Sequence, residues 1–247
     1  MTAQERFFIT TSWDDGTVHD LKLADLLSKY QLPATFYVAK HHEYGCLEES
    51  QIRALGQCFE LGAHTVNHVV LDTVSDELAE KEIRNSKSWI EQLSGRQCQM
   101  FCFPRGKFSR RHVRMVKEAC FRGARTVELM SCRTASLVLD LAVLPTTVQA
   151  FPHHTSAYLR NILRRRRVSN LVNYLRSERG DWTRMAGSLL SRISSSGGVF
   201  HLWGHAWEVD QLDLWLDLER LFQVLEQYKS RGAALATNAD LCRGVAN

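Results

Sequence analysis

The chain has 247 residues, 45% of them hydrophobic and 23% charged, with a mild net charge of +4. That is an ordinary globular composition, which excludes a low-complexity or collagen-like chain. No apolar run approaches the ~20 residues that span a bilayer, and polar Met1–Arg6 leads into no signal-peptide pattern. The seven cysteines are odd in number and lack C-x-x-C spacing, which fits reduced thiols in a cytoplasmic protein.

The elements alternate along the chain. Phe7–Ser12 reads as a strand that runs into Asp14-Asp15-Gly16, a turn. Asp20–Tyr30 carries a helical stripe, and Leu32-Pro33 ends it. Ala34–Ala39 is the second strand, Glu49–Cys58 a short helix, and Glu60–Ala63 a strand entering His64-Thr65-Val66-Asn67-His68. Ser75–Leu93 is a long helix with Ser75 as its N-cap. Gln99–Phe103 is a strand before Pro104-Arg105-Gly106, and Ser109–Cys120 a helix. Gly123–Val127 and Val143–Val148 read as strands, and Tyr158–Arg176 and Trp182–Ile193 as helices. Within the first of these, Arg164-Arg165-Arg166-Arg167 is a solvated helix face or a patch for a phosphate-bearing substrate or an anionic surface. Without interleaved aromatics it makes no case for nucleic acid. Gly198–Trp203 is a strand leading to His205, Leu212–Lys229 a helix, and Ala233–Ala236 a last strand.

Repeated strand–helix alternation predicts an α/β fold with a parallel sheet. The spacing fits a single irregular (β/α) barrel of about seven to eight strands over 1–247, with a helical insertion near 156–195. In such a barrel, active sites lie at the C-terminal ends of the strands. Four motifs fall there.

Each motif brings distinct chemistry. Asp14 and Asp15 can divide the work of metal ligand and free base, or form an ordinary Asp-Gly turn. His64 and His68, four apart, suit a metal such as zinc, and with one carboxylate they leave coordination positions open for water and substrate. Pro104 and Gly106 shape a turn whose N–H groups can face a ligand. Arg105 can stabilise an oxyanion, bind a substrate anion or face solvent. His201 and His205 flank Trp203 on one strand, with Trp207 and Glu208 just beyond. Trp faces pack against sugar rings, and Glu208 can orient an imidazole.

Taken in order, these motifs resemble the polysaccharide deacetylase family, also called the NodB-homology family or carbohydrate esterase family 4. Thr11–Gly16 is similar to its T-F-D-D-G signature, with Ser12-Trp13 standing in place of one Phe-type position. Leu32–Val38 is similar to I-P-A-T-F-F-V, His64–His68 to H-S/T-x-x-H, and Phe101–Gly106 to R-x-P-Y/F-G. Leu225–Leu241 is similar to the family's C-terminal helix and strand. The likeness spans most of the chain outside about 128–195.

The resemblance implies Asp14 as general base, Asp15, His64 and His68 as ligands of one divalent ion, and an oxyanion donor in the loop around Arg105. Zinc is the first choice of ion, with cobalt, nickel or a similar ion as alternatives. It implies a late-strand histidine as general acid, His205 before His201. The family's motif arginine, which steadies the base, falls on Cys102 here, Arg105 occupies an aromatic position, and Asp181-Trp182 is only a loose counterpart of a further motif. The implied activity is a metal-dependent hydrolase that removes an N-acyl group, acetyl first, from an amino sugar or glycan. A cyclic-amide or other non-sugar amidase and a catalytically silent carbohydrate-binding protein are the alternatives.

Overall fold

A computed structural model describes residues 7–245. The first strand, β1 (Phe7–Asp15), is buried along nearly its whole length on both faces, as a central parallel strand must be. It pairs in parallel with β2 (Ala34–Val38) on one side and with β9 (Gly198–Gly204) on the other. From β2 the parallel sheet continues through β3 (Glu60–Ala63), β4 (Met100–Cys102), β5 (Gly123–Arg125) and β7 (Leu141–Leu144). One antiparallel edge strand, β6 (Ser136–Val138), hangs on β7. The two-residue β10 (Ala234–Leu235) pairs with β1 at Phe8 and Ile9, below the point where β2 begins. The result is an α/β fold with one curled sheet in an irregular barrel.

The strand expected over Val143–Val148 is divided by Pro145 into β7 and β8 (Val148–Gln149), which lie at opposite ends of the sheet order. Proline has no N–H for a ladder, and the chain crosses the open side of the barrel there. Thr147 ties the crossing to β9: its N–H donates to the His201 carbonyl, and its hydroxyl lies 2.7 Å from the Ser131 carbonyl.

The helices α1 (Asp20–Lys29), α2 (Glu49–Cys58), α3 (Asp76–Ser94), α4 (Arg110–Glu118), α7 (Trp182–Ser196) and α9 (Trp215–Ser230) have amphipathic sequences and bury one face each. Their apolar faces meet the outer sheet residues Phe7, Ile9, Trp13, Phe36, Phe101 and Phe200 in one large core. A smaller core of Tyr37, Met100, Cys102, Leu144 and Val199 fills the barrel interior. Short helices α8 (Ala206–Gln211) and α10 (Asn238–Arg243) follow β9 and β10. No helix among the described residues is long and apolar enough to cross a membrane.

The helix expected over Tyr158–Arg176 is two helices, α5 (Thr155–Arg165) and α6 (Val168–Arg176). Arg166, with φ 51°, caps α5 in the left-handed conformation. The arginine run is therefore split: Arg164 and Arg165 end α5, and Arg166 and Arg167 form the turn into α6. Three asparagines fasten this pair to the segment after β5: Asn161 Oδ1 accepts from Leu129 N and its Nδ2 donates to Val127 O, while the Asn170 and Asn173 amides donate to Leu129 O and Met130 O.

Candidate active site

Strand alternation places Phe7, Ile9 and Trp13 outward, so Thr10, Ser12 and Asp14 face the barrel interior. Asp15 would then point outward. Its backbone instead turns into the left-handed region, φ 85°, and both carboxylates end in the same cavity.

Asp14 is 2% exposed and lies against Arg125, whose Nη2 donates to its Oδ1. Arg125 is fully buried, with its guanidinium 5.1 Å from the Tyr37 ring centre and 4.7 Å from that of Trp203. The Asp14 carboxylate opposes burial and holds Arg125 firmly protonated. On the other oxygen, the Cys102 thiol lies 3.7 Å from Asp14 Oδ2. Arg125 and Cys102 are register partners on adjacent strands. The arginine missing at position 102 is thus supplied from the next strand. Sequence reasoning missed it; a charged residue inside the apolar strand Gly123–Val127 was the available signal.

Asp15 is the centre of an imidazole cluster. Its Oδ1 lies 3.6 Å from His64 Nε2 and 3.4 Å from His68 Nε2, and it has no hydrogen-bond partner despite complete burial. Its Oδ2 accepts a hydrogen bond from Trp207 Nε1 at 2.8 Å and lies 3.5 Å from His42 Nε2. Burial works against the charge of Asp15, but His205, His64, His68 and His42 around it bring its pKa down to about 2. His42 is a second residue that the sequence did not reveal, since an isolated His-His pair after a strand carries no spacing signal.

The loop bearing His64 and His68 is built for convergence. Thr65 and His68 are left-handed, with φ 63° and 50°. The buried Glu82 of α3 accepts hydrogen bonds from Val66 N at 2.8 Å and Asn67 N at 2.9 Å, and Thr65 Oγ1 accepts from Val69 N. His64 Nδ1–H donates to the Cys102 carbonyl at 2.8 Å, which leaves the Nε2 lone pair aimed at Asp15. Burial lowers the pKa of His64, and burial with the neighbouring His64 takes His68 to about 3. Both rings are therefore neutral at neutral pH, the form that binds a metal.

These donors fit a divalent ion. Ligand atoms of Asp15, His64 and His68 all lie within 4.8 Å of one another, and the unpartnered Asp15 Oδ1 faces the Nε2 atoms of both imidazoles. Asp14, His64 and Cys102 are similarly close. That set is poorer, because Arg125 already holds Asp14 and burial pushes the Cys102 thiol well above its ordinary pKa.

His205 caps β9 at the cavity and lies 4.0 Å from Asp14 Oδ2 and 3.9 Å from Asp15 Oδ2. Its Nδ1–H donates to Glu208 Oε2 at 2.6 Å. Gln149 Nε2 also donates to that oxygen, and His153 Nε2–H donates to Gln149 Oε1. Burial disfavours the imidazolium, but the Glu208 hydrogen bond and the Asp15, Glu208 and Asp14 charges push the His205 pKa up to about 9. His201 is placed elsewhere. It is buried inside the barrel, Nδ1–H donates to Pro145 O at 3.0 Å, and Nε2 accepts from the Ser12 hydroxyl at 2.8 Å. Burial, with Arg125 nearby, lowers its pKa to about 3. No ring atom of His201 is left for a substrate.

The cavity encloses about 460 Å³ and is lined by Asp14, Asp15, the histidines 42, 64, 68, 153 and 205, and Trp203 and Trp207. Trp207 stacks on Tyr44 at 4.2 Å between ring centres. Arg105 also lines the cavity, in a turn where it has φ 54° and Gly106 has φ 61°. A Cβ on Gly106 would meet Val127 Cγ2 at 2.0 Å, so only glycine fits. Pro104 and Gly106 are buried beneath this turn and do not line the cavity. Asp181 lies at a helix start instead, where its carboxylate accepts from Thr183 N and Arg184 N of α7.

A family model described as polysaccharide deacetylase matches residues 2–124. No curated protein sequence matches significantly. Among solved structures, a Mycobacterium smegmatis protein assigned as a polysaccharide deacetylase is similar with a TM-score of 0.72 and 13% identity, over 99% of this chain and 92% of its own. A family 4 carbohydrate esterase from Bacillus anthracis gives 0.57 and 16%, over 98% and 84%. A peptidoglycan N-acetylglucosamine deacetylase gives 0.58 and 14%, over 96% and 89%. At these identities the likeness is one of fold.

Proposed function

The chain belongs to the polysaccharide deacetylase family, and from that premise we propose that it is a metal-dependent hydrolase that removes an N-acyl group, acetyl first, from an amino sugar of a glycan. One observation carries the proposal: the buried, unpartnered Asp15 Oδ1 faced by two neutral imidazoles, beside a second carboxylate that is held separately by Arg125. A divalent ion held by Asp15, His64 and His68, zinc before cobalt or nickel, supplies Lewis-acid polarisation of the acyl oxygen and eases ionisation of water.

This chain's own groups then divide the proton transfers. Asp14, anchored through Oδ1 by Arg125, has Oδ2 on the side of His205 and takes the proton of the attacking water. The Arg105 turn stands beside the reacting carbonyl and offers a donor to the oxygen as it gains charge. His205, held protonated and fixed in orientation by Glu208, delivers a proton to the departing nitrogen. Trp203 supplies an apolar wall for a sugar ring. Trp207, which the sequence suggests as a sugar platform, is engaged with Asp15 and Tyr44, and we assign it to holding the carboxylate. All seven cysteines are free, which supports a reducing compartment such as the cytoplasm.

The test is release of acetate from a panel of N-acetyl sugars, with and without chelator. Asp14→Asn keeps the side-chain size and removes the base, so turnover should fall by at least ~100-fold while the metal content stays near that of the parent. Near-normal turnover in this variant would overturn the assignment.

A further inference from the structure

The arginines of α5 do not take part in the chemistry above, yet two of them face it. Ala157, Arg160, Asn161 and Arg164 line the cavity. Their spacing of i, i+3, i+4 and i+7 puts them on one face of α5, and the Asn161 clamp on Val127 and Leu129 fixes that face toward the barrel. Ala157 leaves space where a larger residue would fill it. From the turn after β4, Arg105 lines the same cavity.

These guanidinium groups lack acidic partners. The arginines that make ion pairs among the described residues are Arg84, Arg111, Arg125, Arg133, Arg220 and Arg243. Arg105, Arg160 and Arg164 are not among them. Over 155–177 the chain has six arginines and no acidic residue, more positive charge than the net +4 of the whole chain. Arg160 and Arg164 are like charges at i, i+4, an arrangement that destabilises a helix. Of the acids that line the cavity, Asp14 is held by Arg125 and Asp15 by the imidazoles, which leaves Glu43 alone against three arginines.

We infer that Arg160 and Arg164, with Arg105, form an anion subsite, and that the substrate is an N-acylated amino sugar bearing an acidic group, a phosphate or a carboxylate, close to the acylated position. Guanidinium forks match both groups bidentately. The inference rests on the hydrolase reading above and narrows it from glycans in general to acidic ones.

The experiment compares three probes: N-acetylglucosamine, N-acetylglucosamine 1-phosphate and N-acetylmuramic acid, which carries a carboxylate. For each, kcat/KM for acetate release and the equilibrium affinity by calorimetry are measured in the metal-loaded parent and in the variant Arg160→Gln/Arg164→Gln. At least one acidic probe should exceed the neutral one by roughly tenfold in both readouts, and the variant should bring that ratio close to one. Which probe leads separates phosphate from carboxylate. Equal use and binding of all three probes, or a preference that survives in the variant, would overturn the subsite. Selective, arginine-dependent binding without acetate release from any probe would keep the subsite and overturn the hydrolase reading.

Discussion

Arg125 gives the sharpest energetic test of the site's construction. Arg125→Met retains an unbranched apolar stem between Tyr37 and Trp203 but deletes the cation. Asp14 is 2% exposed, and the cation left near it among the described residues would be the His205 imidazolium at 4.0 Å, which Asp15 and Glu208 already engage. Removing one partner of a buried ion pair costs about 3–5 kcal/mol, because the other charge stays buried and uncompensated. Methionine restores part of the packing and none of the charge, so that range is the expected loss. Replacing both partners, Arg125→Met with Asp14→Asn, leaves no unpaired charge. The double variant should therefore be less destabilised than the sum of the two singles, by about 2 kcal/mol or more. Urea unfolding at neutral pH in the presence of chelator measures this without a contribution from bound metal. A single variant within about 1 kcal/mol of the parent, or strict additivity in the double, would refute the idea that Arg125 does the work of the arginine missing at position 102.

Three further outcomes are expected. His64→Ala should abolish both bound metal, about one ion per chain in the parent, and acetate release; mass-spectrometric metal analysis reads the first directly, and full retention would sink the ligand assignment. His205→Ala should cut amide hydrolysis by at least ~100-fold and an activated aryl ester far less, since a phenolate departs without a proton; equal losses on both substrates would place the acid elsewhere. Glu60 lies far from this chemistry, where burial raises its pKa from 4.5 to about 7 although the Thr35 hydroxyl and the Ala239 N–H donate to it. The folded state holds that proton longer than the unfolded chain does. Stability is therefore highest below about pH 4.5 for this group and falls as pH rises through about 7, by at most roughly 3 kcal/mol. Glu60→Gln should flatten that slope in unfolding experiments between pH 5 and 8, and an unchanged slope would count against the burial argument.

Much of the barrel is legible in the sequence because central parallel strands are continuous apolar runs and the outer helices keep a 3.6-residue period. What escapes has a local cause. The β6–β7 hairpin turns on Leu139 and Asp140, both left-handed at φ 51° and 59°, without the glycine or asparagine that marks such turns. The break between α5 and α6 falls inside four arginines, none of which signals a stop. At the site, Asp15, His64 and His68 are visible because a short motif holds each. Arg125 is not, because its partner lies 111 residues away. A side chain that serves Asp14 can reach it from either of two neighbouring strands, and only the sheet register shows which strand does so. In the sequence His205 is preferred to His201 only for its place at the strand end, and it is the carbonyl of Pro145 and the hydroxyl of Ser12 that occupy both ring nitrogens of His201.

The left-handed backbone at Asp15, Thr65, His68 and Arg105 has a consequence for how the molecule comes apart. None of the four is glycine, and each such conformation costs on the order of 1–2 kcal/mol. Other left-handed residues are scattered through the described chain, but these four sit together at one end of the barrel, where the loops after β1, β3 and β4 meet. Local opening should begin there rather than at the buried strands below, and a protease or an exchanging amide would sense that end first. An ion bridging Asp15, His64 and His68 would join two of those loops and raise the cost of opening them. Metal-free and metal-loaded protein would then share one fold and differ chiefly in how often this end frays.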